Sequence, residues 1–240
     1  MTEARKELIS KCLRRSLLGL AVGFGLLLCY GTQYVPLAGV LIARRQLSAY
    51  ARAQRPGVRL EAVHHDWYNS GYSAVFDDGS TLGYNLWQNT VYDEALNEAV
   101  GQTAQKDYRH RVLGQFSPQL TLPDSIMVWT SLKAGDYTKK VQRLYALGIY
   151  NTADLTEEES HKAPAQIAYK IIGLMGTDYN FTGIQFIYAD KNGMYDIAVR
   201  ADTLTPLTEQ QLLRHTQKRP EEQLPENYLE WRSQQSLAPD

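Results

Sequence analysis

FDDGSTLGY, residues 76–84, decides the fold class. Asp77-Asp78-Gly79-Ser80 is turn chemistry, with acidic residues and a glycine placed for a tight reversal. On either side apolar residues alternate with others: Tyr72, Ala74 and Phe76 before the turn, Leu82, Tyr84 and Leu86 after it. A period of two marks a half-buried strand, so the stretch predicts an antiparallel hairpin. Upstream, Val58, Leu60, Ala62 and His64 alternate in the same way and predict a third strand. A second stretch, YADKNGMYD at residues 188–196, has the same form. Ile184, Phe186 and Tyr188 lead into Asp190-Lys191-Asn192-Gly193, and Tyr195, Ile197 and Val199 answer them. The likeness fits a divergent internal repeat and equally two hairpins obeying one turn chemistry.

Helical spacing fills much of the remainder. Pro36 suits a first turn, and Leu37, Val40, Leu41, Leu47 and Ala51 recur at helical intervals until Pro56-Gly57 ends the run. Thr90 is placed to cap a helix carrying Ala95, Leu96, Ala99 and Val100, reaching about Val112. Residues 117–124 read as a crossover, and Ile126 to Trp129 as a short strand. Asp136 opens a predicted helix through Tyr137, Val141, Leu144, Tyr145 and Gly148. The next helix has two candidate starts, a capping box at Thr156/Glu159 or Pro164 in its first turn. Its apolar face is Ile167, Ala168, Ile171, Ile172 and Met175. Thr208 with Gln211 opens a last short helix, and the Pro/Glu-rich end from Lys218 reads as loose, with Tyr228, Leu229 and Trp231 available for docking.

The N-terminal region carries a different signal. From Ser16 to Ala43 no side chain is charged, and Arg5, Lys6, Lys11, Arg14 and Arg15 precede the run against only Glu3 and Glu7. Twenty residues, 16–35, at 1.5 Å each match a hydrocarbon thickness of about 30 Å. The basic flank predicts a cytoplasmic N-terminus, with the bulk of the chain outside a cell membrane crossed once. A cleaved signal is the rival, but Cys29 and Gly31 are a poor small-residue pair and the basic region is long. Lipid attachment at Cys29 is disfavoured by Leu28 before it. With only Cys12 and Cys29 in the chain, nothing beyond residue 29 can form a disulfide or a thiolate metal site.

These patterns predict an α+β chain in five parts. A basic cytoplasmic tail over 1–15 precedes a transmembrane helix over 16–35. A first extracytoplasmic unit follows over 36–116 and a second over 117–217, each an antiparallel sheet or hairpin with helices packed on one face. The Pro/Glu-rich tail covers 218–240.

Several of these features also resemble one family. Tyr30-Gly31-Thr32 after an apolar segment, a helix ending near Tyr50, the Pro56-Gly57 step into a strand and Asp66-Trp67-Tyr68 before a hairpin resemble YfjL-like proteins. The likeness is best over residues 15–115; Gln33 stands where members of that family usually have proline. The resemblance implies a single-pass Firmicute protein with small α+β extracytoplasmic domains. It brings no catalytic residue, cofactor or assigned activity.

Charge and motif content narrow the chemistry. A net charge of −1 argues against a nucleic-acid partner. Phosphate-binding glycine loops, HExxH zinc pairs, nucleophile elbows and EF-hand loops are all missing. His64-His65-Asp66 is the strongest residual candidate, with His110 or His161 as distant help. Adjacent strand residues point to opposite faces, however, so the two histidines do not share one metal easily. Asp77/Asp78 and Glu157/Glu158/Glu159 fall at a turn and a helix start, where their charge is already explained. No catalytic, cofactor or metal residue is therefore assigned. Sixteen tyrosines against five phenylalanines are the remaining signal. Tyr68, Tyr72, Tyr84, Tyr92, Tyr179, Tyr188 and Tyr195 lie in or beside predicted hairpins, where such rings serve either a contact surface or half-buried packing. The expected function is a membrane-anchored, non-catalytic binding or regulatory module, contacting lipid through 16–35 and a protein, peptide or cell-wall partner outside. A cell-surface hydrolase with its site between the two halves is the alternative.

Overall fold

A computed structural model of the chain describes residues 14–26, 36–66, 71–199 and 207–237. The chain divides into two compact units, Met1–Val91 and Tyr92–Asp240.

In the first unit, residues 14–26 are helical (α1) and α2 spans Pro36–Gln54. Three antiparallel strands follow: β1 (Leu60–Asp66), β2 (Gly71–Phe76) and β3 (Thr81–Asn85). The hairpin over 76–84 forms as its turn chemistry predicts. Gly79 takes φ 78°, a conformation glycine adopts without strain, and Ser80 donates its N–H to Asp78 at 2.9 Å. Ala43, Leu47 and Tyr50 of α2 are buried with Tyr72, Ala74, Phe76, Leu82 and Tyr84. Gly39 permits this packing, since the Tyr72 hydroxyl occupies the place a Cβ would take.

The expected transmembrane helix over 16–35 is corrected. Among the described residues no helix is long and apolar enough to cross a membrane. Helical residues 14–26 extend about 20 Å, short of a hydrocarbon core of about 30 Å. Residues 1–13 and 27–35, including both cysteines, lie outside the described residues, as do Trp67 and Tyr68.

The strand β4 (Thr90–Asp93) carries the chain across the division. Thr90 is thus a strand residue, and Asp93 takes the capping role by accepting the Leu96 N–H at 3.3 Å. Helix α3 (Glu94–Asp107) continues into a π-helical turn, Tyr108–Val112. Its Ala104, with Tyr108 and Val112, joins the core of the second unit around Val128, Leu144 and Phe186. For that reason α3 belongs to the second unit, and the division falls ahead of the crossover at 117.

The second unit continues with β5 (Leu120–Thr121), β6 (Met127–Lys133), β7 (Asp136–Asn151) and α4 (Glu157–Met175). Then come β8 (Phe181–Asp190), β9 (Gly193–Val199), α5 (Glu209–Arg214), β10 (Thr216–Lys218) and α6 (Glu226–Leu237). The strand order is β6-β7-β8-β9-β10, with β5 also on β7. An all-antiparallel sheet was expected here, and this too is corrected: β7 and β8 run parallel, joined through α4. The predicted helix from Asp136 is strand β7. Tyr137, Val141, Leu144 and Gly148 do fall at helical spacing. Gly148 at φ 76° is incompatible with a helix interior, though, and absorbs the irregularity between Ala146 and Ile149.

Both capping boxes form. Thr156 and Glu159 start α4, leaving Pro164 buried inside it, and Thr208 with Gln211 starts α5. The tail expected to be loose contains α6, anchored by a fully buried Tyr228.

Candidate functional site

Alternation gives the second unit's sheet two faces. Val128, Leu144, Ala146, Ile184, Phe186, Tyr188, Tyr195 and Ile197 point to the face covered by α3, α4 and α5. The opposite face carries Met127 and Trp129 of β6, Arg143, Tyr145 and Tyr150 of β7, and Gln185, Ile187 and Ala189 of β8. Register pairs Met127 with Tyr145 and Trp129 with Arg143, then Tyr145 with Gln185. Part of this face is closed by α6, whose Tyr228 packs with Ala189, Met194, Leu224, Tyr150, Ile187 and Trp231. The rest is open. Met127 is 59% exposed and Trp129 38%. Tyr92 stacks flat on Trp129, with centroids 4.3 Å apart and planes 7° from parallel. Burial, with Glu94 beside it, pushes the Tyr92 hydroxyl up, while a hydrogen bond with Asn97 acts in the opposite direction. The ring pair thus presents an amphipathic platform, with Arg143 the cross-strand partner of Trp129.

Between the β8–β9 turn and the start of α4 lies a buried polar network. Asp190, fully buried, accepts the N–H groups of Asn192 at 2.8 Å and Gly193 at 3.2 Å through one carboxyl oxygen. Its other oxygen accepts from the Tyr188 hydroxyl at 3.0 Å, which itself accepts from Asn151 at 3.0 Å. Asn192 donates to the Leu155 carbonyl and to Ser160 Oγ. Burial first, then the Asp190 charge, pushes Tyr188 well above the ordinary tyrosine value and Tyr195 up to about 12. Every group here has its partner inside the fold, so the network fixes the β8–β9 turn against the start of α4 and leaves no reacting atom open.

The residues singled out from sequence scatter. His64 and His65 sit on β1 opposite Ser73 and Tyr72, and the His65 ring meets Tyr72 edge-on at 5.0 Å. His110 lies in the π-helical turn, and His161 on α4 faces the Tyr195 ring at 6.3 Å. Among the described residues, no three His, Cys, Asp or Glu come together as metal ligands. Of the tyrosines, Tyr72 and Tyr84 pair across strands in the first unit's core, and Tyr188 and Tyr195 are buried in the second. Tyr179 is half-buried and donates to Asp107 at 2.7 Å. Tyr92 alone of the seven lies against an open aromatic surface among the described residues. Its companions Trp129, Met127, Arg143 and Tyr145 escaped notice because β7 reads as a helix. The usable signal was Met127 and Trp129 placing large apolar side chains opposite the core-facing Val128.

No family model matches the chain, and neither a curated protein nor a solved structure matches it.

Proposed function

We propose that the chain is a non-catalytic binding module whose second unit receives an amphipathic helix of a protein partner on the open part of its sheet face. The observation that carries this reading is α6 itself. The same face already seats one helix through aromatic anchors, Tyr228 and Trp231, on Tyr150, Ile187 and Met194. The surface continues past that helix in the same chemistry, as Tyr145, Met127 and the Tyr92–Trp129 stack. Aromatic, Met and Arg side chains are the residue types enriched at interface centres. Arg143 within the platform favours a partner helix with a carboxylate on its docking side.

A photo-crosslinking side chain at Met127 tests this, with one at the exposed Gln166 of α4 as control. The Met127 probe should join a single partner segment, identified by mass spectrometry as an amphipathic helix, and Trp129→Ala should abolish the product. Identical products from both positions, or one insensitive to Trp129→Ala, would sink the proposal.

A further inference from the structure

Strand β7 is longer than the neighbour that covers it. It pairs with β6 from Lys133↔Asp136 and Leu132↔Lys140 onward, whereas the parallel ladder to β8 starts only at Gln142↔Phe181. Over residues 136–141, therefore, β7 has no strand on its β8 side among the described residues, while β6 pairs with it at Asp136, Lys140 and Val141 and leaves 137–139 as a bulge. Six residues at 3.3 Å give at most about 20 Å of open edge, shortened by the bulge. Backbone N–H and C=O groups along such an edge are satisfied by water or by an added strand. At the inner end a side chain makes the first link: the buried Gln142 accepts the Asn180 N–H through Oε1 at 2.8 Å.

The edge is also walled. A cleft of about 450 Å³ lies between Thr138, Lys139 and Lys140 on one side and Thr177, Asp178 and Asn180 on the other. That volume falls within the usual range for ligand sites. Its charge is unbalanced. Asp178 lies 3.7 Å from Arg111, and Lys139 lies 3.0 Å from Asp136, which also accepts from the Thr138 hydroxyl. Lys140 makes no ion pair among the described residues. The carboxylates beside the cleft are each matched, and one exposed cation is left over.

We infer that this cleft binds an extended acidic peptide, added to β7 as a strand, with its carboxylates on Lys140 and Lys139. Main-chain hydrogen bonds to the open edge hold the peptide, and the lysines select its charge. Thr177 and Asn180 confine it from the far side. The site is on the strand edge, separate from the aromatic face, so either can fail without the other.

The probes are two eight-residue synthetic peptides alternating valine with glutamate or with lysine, and a third, the glutamate peptide N-methylated at every second residue. Each is titrated into the full chain by calorimetry, with hydrogen exchange read at residues 136–141. The glutamate peptide should bind at least tenfold more tightly than the other two and slow exchange along 136–141. Lys140→Glu, at an exposed position, should remove the preference for glutamate, while Trp129→Ala should leave it intact. Equal affinity for the three peptides would overturn the inference, as would protection appearing only outside 136–141 or a Lys140→Glu chain that still prefers glutamate.

Discussion

The Tyr228 hydroxyl donates to the main-chain carbonyl of Asp190 at 2.8 Å, tying the C-terminal helix to the β8–β9 turn. The Asp190 side chain faces inward from the same turn, so the two contacts hold it from opposite sides. Tyr228→Phe removes the hydroxyl's hydrogen bonds to the Asp190 carbonyl and with Arg232 and should cost about 1–2 kcal/mol. Tyr228→Ala also empties a fully buried ring site and should cost roughly 3–5 kcal/mol. Chemical denaturation gives both values. Hydrogen exchange should then show Glu226–Leu237 losing protection in Tyr228→Ala while Glu157–Met175 keeps it. Unchanged protection over α6 would mean that Trp231, packed on Tyr150 at 5.1 Å, is the anchor instead.

Asp190 is a second point of sensitivity. Asp190→Ala leaves the buried Gly193 N–H and the Tyr188 hydroxyl proton without an acceptor and also removes the acceptor of the half-buried Asn192 N–H. Each unsatisfied buried group costs about 1–3 kcal/mol, so a loss of roughly 3–5 kcal/mol is expected. Asp190→Asn retains one acceptor oxygen for the two N–H groups and should cost less than half as much. Thermal unfolding of the two variants side by side checks the order. Equal losses would show that the carboxyl charge, rather than its hydrogen-bonding capacity, is what the turn requires.

Local chemistry explains which features were legible in the sequence. Asp78-Gly79 and Asn192-Gly193 fold as hairpin turns because acid, amide and glycine satisfy a reversal without help from distant residues. Thr156/Glu159 and Thr208/Gln211 cap their helices for the same reason. Where the outcome depends on pairing partners, sequence reading fails. Residues 136–151 satisfy both a helical and a strand pattern, and pairing with β6 and β8 makes them a strand. The open face went unread with them, since Arg143 and Tyr145 share a face with Met127 and Trp129 only once β7 is a strand. Tyr228 illustrates the same limit: its polar, Pro-containing surroundings resemble a loose tail, and only the hydrophobic site on β8 and β9 makes the segment a docked helix.

Helix α1 exposes Leu17, Leu18, Leu20, Val22, Phe24 and Leu26, with Phe24 at 65%. Exposed apolar surface of this extent promotes association in water. Removing residues 1–35 should convert a chain that associates in water into a monodisperse one, measured by light scattering. Because these side chains bury little against the rest, thermal unfolding should move by no more than the few tenths of a kcal/mol typical of surface changes. A large drop in melting temperature would show instead that the N-terminal region is part of the first unit's fold.

The two capping boxes differ in a way that pH separates. Glu159 accepts the Thr156 N–H at 2.8 Å, and this bond, reinforced by the Thr156 hydroxyl, holds its carboxyl below the ordinary value of 4.5. Gln211 makes the matching bond to Thr208 at 2.9 Å through an amide that does not titrate. A carboxyl depressed on folding stabilises the folded state above its unfolded pKa, and the contribution disappears as pH falls through the folded value. The melting-temperature gap between the native chain and Glu159→Ala should therefore be full at pH 6–7 and shrink as pH drops below 4.5. The gap for Gln211→Ala, about 2 °C for the loss of one net hydrogen bond in a chain of this size, should stay constant over the same range. Calorimetric scans between pH 7 and pH 3 distinguish the cases. A Glu159→Ala gap as flat as that of Gln211→Ala would mean that the Glu159 carboxyl caps α4 equally well when protonated.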